Sequence, residues 1–173
     1  MRNNVAVKML QQLLKNSKKS DRELAKAVGI SQATFTRRRK QLERKIIQEY
    51  TITPNLWELG FEILAFTFIR SQSPKSKEEW DELIQKGRQS MAKYPNVIFS
   101  SKGEGLGMGT VVISVHESYT SYSAFLSQLR QEWANIIIDM QSFIVSLKGE
   151  YMGKTFSFKY LADILPKVVQ KQL

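Results

Sequence analysis

The chain has 173 residues, 42% of them hydrophobic, which suffices for one domain of ordinary size or two small ones with a proper core. It has no cysteine, which excludes a disulfide framework and any cysteine-based metal or redox site. Of its formal charge of +10, residues 1–50 carry +9, from 13 Lys and Arg against 4 Asp and Glu. Such a concentrated field points to a polyanion, most commonly nucleic acid; the bland alternative is a solvated basic face.

The opening "MRNNVAVKMLQQLLKNSKK" turns polar too soon for a signal peptide, and no run of 18 apolar residues suggests a membrane span. A cytoplasmic protein is expected. The first helix is predicted over 4–16, with Met9, Leu10, Leu13 and Leu14 on one side. After the polar break "KNSKKS", Ser20 opens a second helix, and Glu23 completes a capping box. Leu24, Ala25 and Val28 form its inner face. Gly29 suits a left-handed C-cap, Ile30 packs back inside, and Ser31 caps a third, basic helix. Two short helices, a glycine turn and a longer basic helix make a helix-turn-helix pattern. A purely structural three-helix bundle would not explain cations on the exposed side of one helix.

In "SQATFTRRRKQLERK", Phe35, Leu42 and Ile46 mark the apolar stripe of this third helix. At about 100° per residue, Ala33, Arg37, Lys40 and Arg44 fall opposite it, with Thr34 and Gln41 on the flank. That is the face a major groove would meet. Gln32, Ala33, Thr34 and Arg37, nearest the N-terminal end, are the candidates for base edges. Lys18, Lys19, Arg22, Ser31, Thr36, Lys40, Gln41 and Arg44 are the candidates for the DNA backbone. Only Arg39 intrudes on the stripe. Its stem is expected to be partly buried over Phe35 and Leu42, with the head solvated or paired, Glu43 being within reach.

Farther along, "EILAFTFIRS" reads as a strand and "SKEEWDELIQKGRQSMAKY" as an amphipathic helix with Trp80, Leu83, Ile84 and Met91 inward. "VIFSSKGEG" and "GTVVISVHES" read as strands around the turn "GEGLGMG". "SYTSYSAFLSQLRQEW" is a helix with Tyr122, Phe125, Leu126 and Leu129 inward, and "IIIDMQSFIVSL" a fourth strand. The order βαββαβ is the ferredoxin-like split βαβ. The fold class is therefore α+β. The expected organisation is a helix-turn-helix domain over 1–48, a linker strand or hinge over 49–60, a ferredoxin-like domain over 61–147 and a C-terminal extension over 148–173. In that extension "KTFSFKY" is a candidate edge strand. Leu161, Ile164, Leu165, Val168 and Val169 give a terminal helix its apolar stripe, either packed at home or offered to an oligomer.

The weak signals read as structural. His116 is the one histidine and, without cysteine, builds no familiar metal site; it is expected at the surface or a dimer interface. Glu78, Glu79, Asp81 and Glu82 open a helix, where its dipole favours them, and form a solvated face. "GEGLGMG" lacks the Gly-Lys-Ser/Thr of a P-loop.

"LLKNSKKSDRELAKAVGISQATFTRRRKQLERKIIQEYTI" resembles the Lrp/AsnC (feast/famine) family of transcription regulators. Leu24, Ala25, Val28, Gly29, Ser31, Arg38, Leu42, Glu43, Ile47 and Tyr50 fit the family pattern. Arg39 stands where the family usually has valine or isoleucine, and Lys45 where it usually has glycine. The resemblance covers about residues 5–147. It implies a dimer or higher homo-oligomer built through ferredoxin-like sheets. It also implies a partner in double-stranded DNA, read as a pseudo-palindrome, and a DNA-backbone or helix-bracing role for Arg38. In many members small effectors bind near the loop between the second and third strands, which makes Gly103, Glu104, Gly105 and Gly107 the candidate effector loop. No cofactor, membrane partner or catalytic residue is expected. Two alternatives remain: an architectural DNA-binding protein of low specificity, and a relative of the sirohaem decarboxylases, which share the two-part architecture. One histidine and a strongly basic first unit weigh against the latter.

Overall fold

The computed structural model describes residues 2–149 and 152–170. In chain order the elements are α1 (Arg2–Lys15), α2 (Asp21–Val28), α3 (Gln32–Lys45), β1 (Ile63–Ser71), α4 (Lys77–Met91), β2 (Val97–Gly105), β3 (Met108–His116), α5 (Tyr119–Glu132), β4 (Ile137–Ser146) and α6 (Leu161–Gln170). They form two compact units, one of Met1–Thr53 with Lys154–Leu173, the other of Pro54–Gly153.

In the first unit, local chemistry sets the helix ends. Ser20 Oγ accepts from the Glu23 amide while the Glu23 carboxylate accepts from the Ser20 amide, closing the capping box. Gly29 ends α2 with φ of 77°, a left-handed turn that a Cβ would oppose. Ser31 caps α3 through the Thr34 amide. Met9, Leu13, Leu24, Ala25, Phe35 and Leu42 then form one buried cluster. Two readings need correction. Ile46 does not extend the stripe: α3 stops at Lys45, Ile46 is its exposed cap residue, and Ile47 packs on the core instead. Residues 49–60 form no strand, because among the described residues no strand pairs with them; 56–60 make a turn closed by Gly60 N–H on the Trp57 carbonyl.

The C-terminal segment returns to this unit. "KTFSFKY" is not an edge strand: Ser157 caps a single 3₁₀ turn over Phe158–Tyr160 that leads into α6. Helix α6 packs on α1 with Ala162 fully buried, Gln11 Nε2 donating to the Ala162 carbonyl at 2.7 Å, and Lys15 pairing Asp163 at 3.3 Å. Leu161, Ile164 and Val168 remain substantially exposed.

The second unit is the expected βαββαβ. Its antiparallel sheet has the order β2-β3-β1-β4. Helices α4 and α5 cover one face, over a core of Ile69, Tyr94, Val112, Phe125, Leu129 and Met140. The opposite face presents Phe66, Phe68, Phe99, Ile113 and Phe143, with Phe143 68% exposed and Phe99 50%. Trp80 is not an inward residue: it is 41% exposed, and its ring lies 5.4 Å from Lys102 Nζ. His116 is likewise not at the surface. The strand alternation turns it toward α5, where it is 3% exposed and packs against Tyr122 and Phe125. Among the described residues no helix is long and apolar enough to cross a membrane.

Candidate nucleic-acid interface

Ser31 and Gly29 fix where α3 begins, and Phe35 and Leu42 fix which side it buries. The opposite side is then decided by the helical period. Gln32, Ala33, Arg37, Lys40, Gln41 and Arg44 are all exposed. Gln32, Ala33, Thr36, Arg37 and Lys40 line one shallow concavity along it. Thr34 is half-buried, and its Oγ1 accepts from Ser31 Oγ at 2.8 Å. Lys18, Lys19 and Arg22 are exposed around the start of α2, and Arg38 is half-buried. Thr36 differs in being tied up internally, since its hydroxyl donates to Asp21 Oδ2 at 2.6 Å.

Arg39 has a half-buried side chain and a paired head, as its place on the stripe suggests. Its Nη1 donates to Asp21 Oδ1 at 2.7 Å, and its Nε lies 3.1 Å from Glu43 Oε1 and 3.0 Å from Tyr50 Oη. Tyr50 Oη in turn donates to Glu43. Burial opposes the charge on Arg39, but the hydrogen bonds to Asp21 and Tyr50 outweigh it and raise its pKa. Burial likewise works to raise Asp21, and the bonds from Thr36 and Arg39 bring it below the ordinary 3.8. The cluster clamps α3 to the first turn of α2, and so holds the angle at which the cationic face is offered. Asp21 as the principal partner was not legible from spacing, because 18 residues and a glycine turn separate it from Arg39.

In the second unit, β2 and β3 meet in a two-residue turn, Leu106–Gly107, with φ of 54° and 69°. Gly103, Glu104, Gly105 and Gly107 are exposed on this hairpin. A cavity of about 620 Å³ lies elsewhere, between α4 and the sheet, and none of these four residues lines it.

Residues 2–45 match the family model described as winged helix-turn-helix DNA-binding. The chain is 32% identical over 92 residues to the HTH-type transcriptional regulator FL11 of Pyrococcus furiosus, covering 53% of this chain and 56% of that protein. It is 36% identical over 72 residues to an uncharacterized HTH-type transcriptional regulator of Pyrococcus horikoshii, covering 41% and 49%. It thus spans about half the length of the curated relatives it matches. Among solved structures, an AsnC family transcriptional regulator from Agrobacterium tumefaciens superposes with a TM-score of 0.72 at 20% identity, over 88% of this chain and 95% of that one. A transcriptional regulator of Neisseria meningitidis in complex with L-Met gives 0.71 at 22%, over 91% and 97%. AsnC of E. coli gives 0.68 at 20%, over 88% and 96%. The chain has the fold of the Lrp/AsnC regulators: a helix-turn-helix unit followed in sequence by a ferredoxin-like unit.

Proposed function

We propose that the chain is a sequence-specific DNA-binding transcription regulator of Lrp/AsnC type that reads a pseudo-palindromic site as a dimer. The observation that carries this reading is the outward face of α3. Arg37, Lys40 and Arg44 are exposed together there, beside Gln32 and Ala33, on a helix locked to its neighbour by the Asp21–Arg39 pair. Cations on that face neutralise phosphates, and the N-terminal residues of the helix reach base edges. Arginine suits guanine and glutamine suits adenine, while the Ala33 methyl suits a thymine methyl. Lys18, Lys19, Arg22, Lys40 and Arg44 hold the backbone.

The open sheet face, with Phe99 and Phe143 exposed, supports a second copy of the chain as the dimer partner. Two headpieces then meet successive major grooves, about 34 Å apart. The Neisseria relative's L-Met complex supports a small-molecule effector, for which the hairpin at Gly103–Gly107 is the candidate place.

Selection of bound duplexes from a random pool tests the reading. An enriched pseudo-palindrome is expected. Arg37→Ala is expected to lose sequence preference, and Lys40→Ala to weaken all duplexes alike with a shallower salt dependence. No enrichment, with similar affinity for every duplex at fixed salt, would replace it with an architectural role.

A further inference from the structure

The cavity of about 620 Å³ in the second unit has a sequence origin. On β2 beyond Val97, the positions facing the helices are Ser100 and Lys102, paired across the sheet with Val112 and Thr110. Ser100 and Thr110 are too small to fill the space beneath α4. From above, α4 offers Gly87, where an added Cβ would meet nothing within 4 Å. Helix α4 is tied down at its C-terminal end by side-chain hydrogen bonds, and near its start only by the Trp80 ring over Lys102 among the described residues. At the C-terminal end Trp133 Nε1 donates to Ser90 Oγ at 3.1 Å, and Lys93 and Tyr94 just beyond it bond Glu132 at 2.9 and 2.8 Å. Packed interiors seldom leave voids larger than a water, whereas small-molecule sites run from about 300 to 1,000 Å³.

The lining gives the chemistry of an occupant. Leu83, Ile84, Met91, Val112, Leu129 and Trp133 make apolar walls. Among the described residues, Arg88 and Lys102 are its only charged lining residues, no Asp or Glu borders it, and neither cation makes an ion pair. Desolvation lowers the pKa of Lys102 although the residue as a whole is exposed, in keeping with an ammonium turned under the Trp80 ring. Two cations without a carboxylate partner at the rim of an apolar hollow complement an anion with an apolar body. A guanidinium further favours a planar, bidentate carboxylate.

We infer that this cavity is a binding site for a small carboxylic acid with an apolar, ring-sized body and no amine, its carboxylate held by Arg88 and Lys102. A free α-amino acid fits less well, because among the described residues no acidic side chain borders the cavity to receive its ammonium. The site is separate from the Gly103–Gly107 hairpin. It stands whether or not the first unit reads DNA, because its test is a binding measurement on the protein alone.

The probes are 2-naphthylacetate, its neutral amide and 2-naphthylethylamine, titrated into the full-length protein by calorimetry and by fluorescence. The acid is expected to bind, the amide to bind about tenfold or more weakly, and the amine to show no saturable binding. Arg88→Gln and Lys102→Gln should each bring the acid toward the amide's affinity while leaving the amide unchanged. Gly87→Leu, which fills the hollow from α4, should abolish binding of both, with the circular dichroism retained and the melting temperature equal or higher. The inference is overturned if the acid does not bind at millimolar concentration, if acid and amine bind alike, or if a folded Gly87→Leu protein binds as the original does. DNA binding is read in a separate assay, so neither result decides the other.

Discussion

Arg39 Nη1 donates to Asp21 Oδ1 at 2.7 Å, so the cation that interrupts the apolar stripe of α3 is what fastens that helix to α2. Each side chain is 22% exposed, so the pair is screened less than a surface bridge and is not a buried charge. A double-mutant cycle with Asp21→Asn and Arg39→Gln, read by urea denaturation, is expected to give a coupling of about 1 kcal/mol. Because Asp21 is depressed in the folded state, this contribution is present above the ordinary carboxylate pKa. It is lost as pH falls through the lower folded value. A coupling within error of zero at pH 7 would mean that the pair does not hold the helices.

His116 makes the second unit sensitive to mild acid. Desolvation lowers its pKa; Ser114 Oγ lies 2.8 Å from Nε2 and Asn96 Nδ2 3.4 Å from Nδ1. The unfolded chain takes a proton near pH 6.5 more readily than the folded one does. The stability His116 lends is therefore present above that pH and declines as pH falls through the folded value. Denaturation midpoints between pH 7.5 and 5 are expected to drop for the native chain and to drop less for His116→Gln.

At the alkaline end Tyr94 is the reporter. Burial, and then the Glu132 carboxylate at 2.8 Å, push its pKa from 10.0 to about 12. Its contribution is complete below pH 10 and is lost as pH rises toward 12. Tyr94→Phe should be less stable at pH 8, where the hydrogen bond to Glu132 is missing, and should lose less between pH 9 and 11. Parallel slopes for the two proteins would contradict this.

Leu106 occupies the first position of the two-residue β2–β3 turn with φ of 54°, and it is 81% exposed. A leucine in the left-handed region costs about 1–2 kcal/mol, while asparagine tolerates it. Leu106→Asn is expected to stabilise the chain by up to about 1 kcal/mol in thermal or chemical denaturation. A destabilised variant would mean that the leucine side chain is in use.

Ala162 has no free surface where α6 meets α1. Ala162→Leu should overpack this contact and cost about 1–3 kcal/mol in the first unit. Gln11→Ala should cost about 1 kcal/mol through the lost bond to the Ala162 carbonyl. Amide exchange in α1 and α2 is the direct readout; unchanged protection in both variants would show that α6 does not support the helix-turn-helix.

What the sequence determined by itself is what short-range chemistry decides. Ser20 with Glu23, Gly29 and Ser31 place the ends of α2 and α3, because caps act across three or four residues. The 3.6-residue period separates the Phe35–Leu42 side from the Arg37–Lys40–Arg44 side, so the outward face of the candidate site is legible before any packing is known. The same holds for the βαββαβ order. The period could not say that Ile47 rather than Ile46 closes the core, or that His116 is buried, since both depend on what lies across from them.

Only the tertiary structure decided the long-range pairings. It matched Arg39 with Asp21 across 18 residues and laid α6 on α1 across about 150. It left 49–60 without a strand partner among the described residues, and it set Gly87 and Ser100 on the walls of one hollow. A one-dimensional pattern records which residues prefer burial or a cap. Which distant group satisfies each charge, and where small residues from different elements leave a hollow, depends on elements meeting in space.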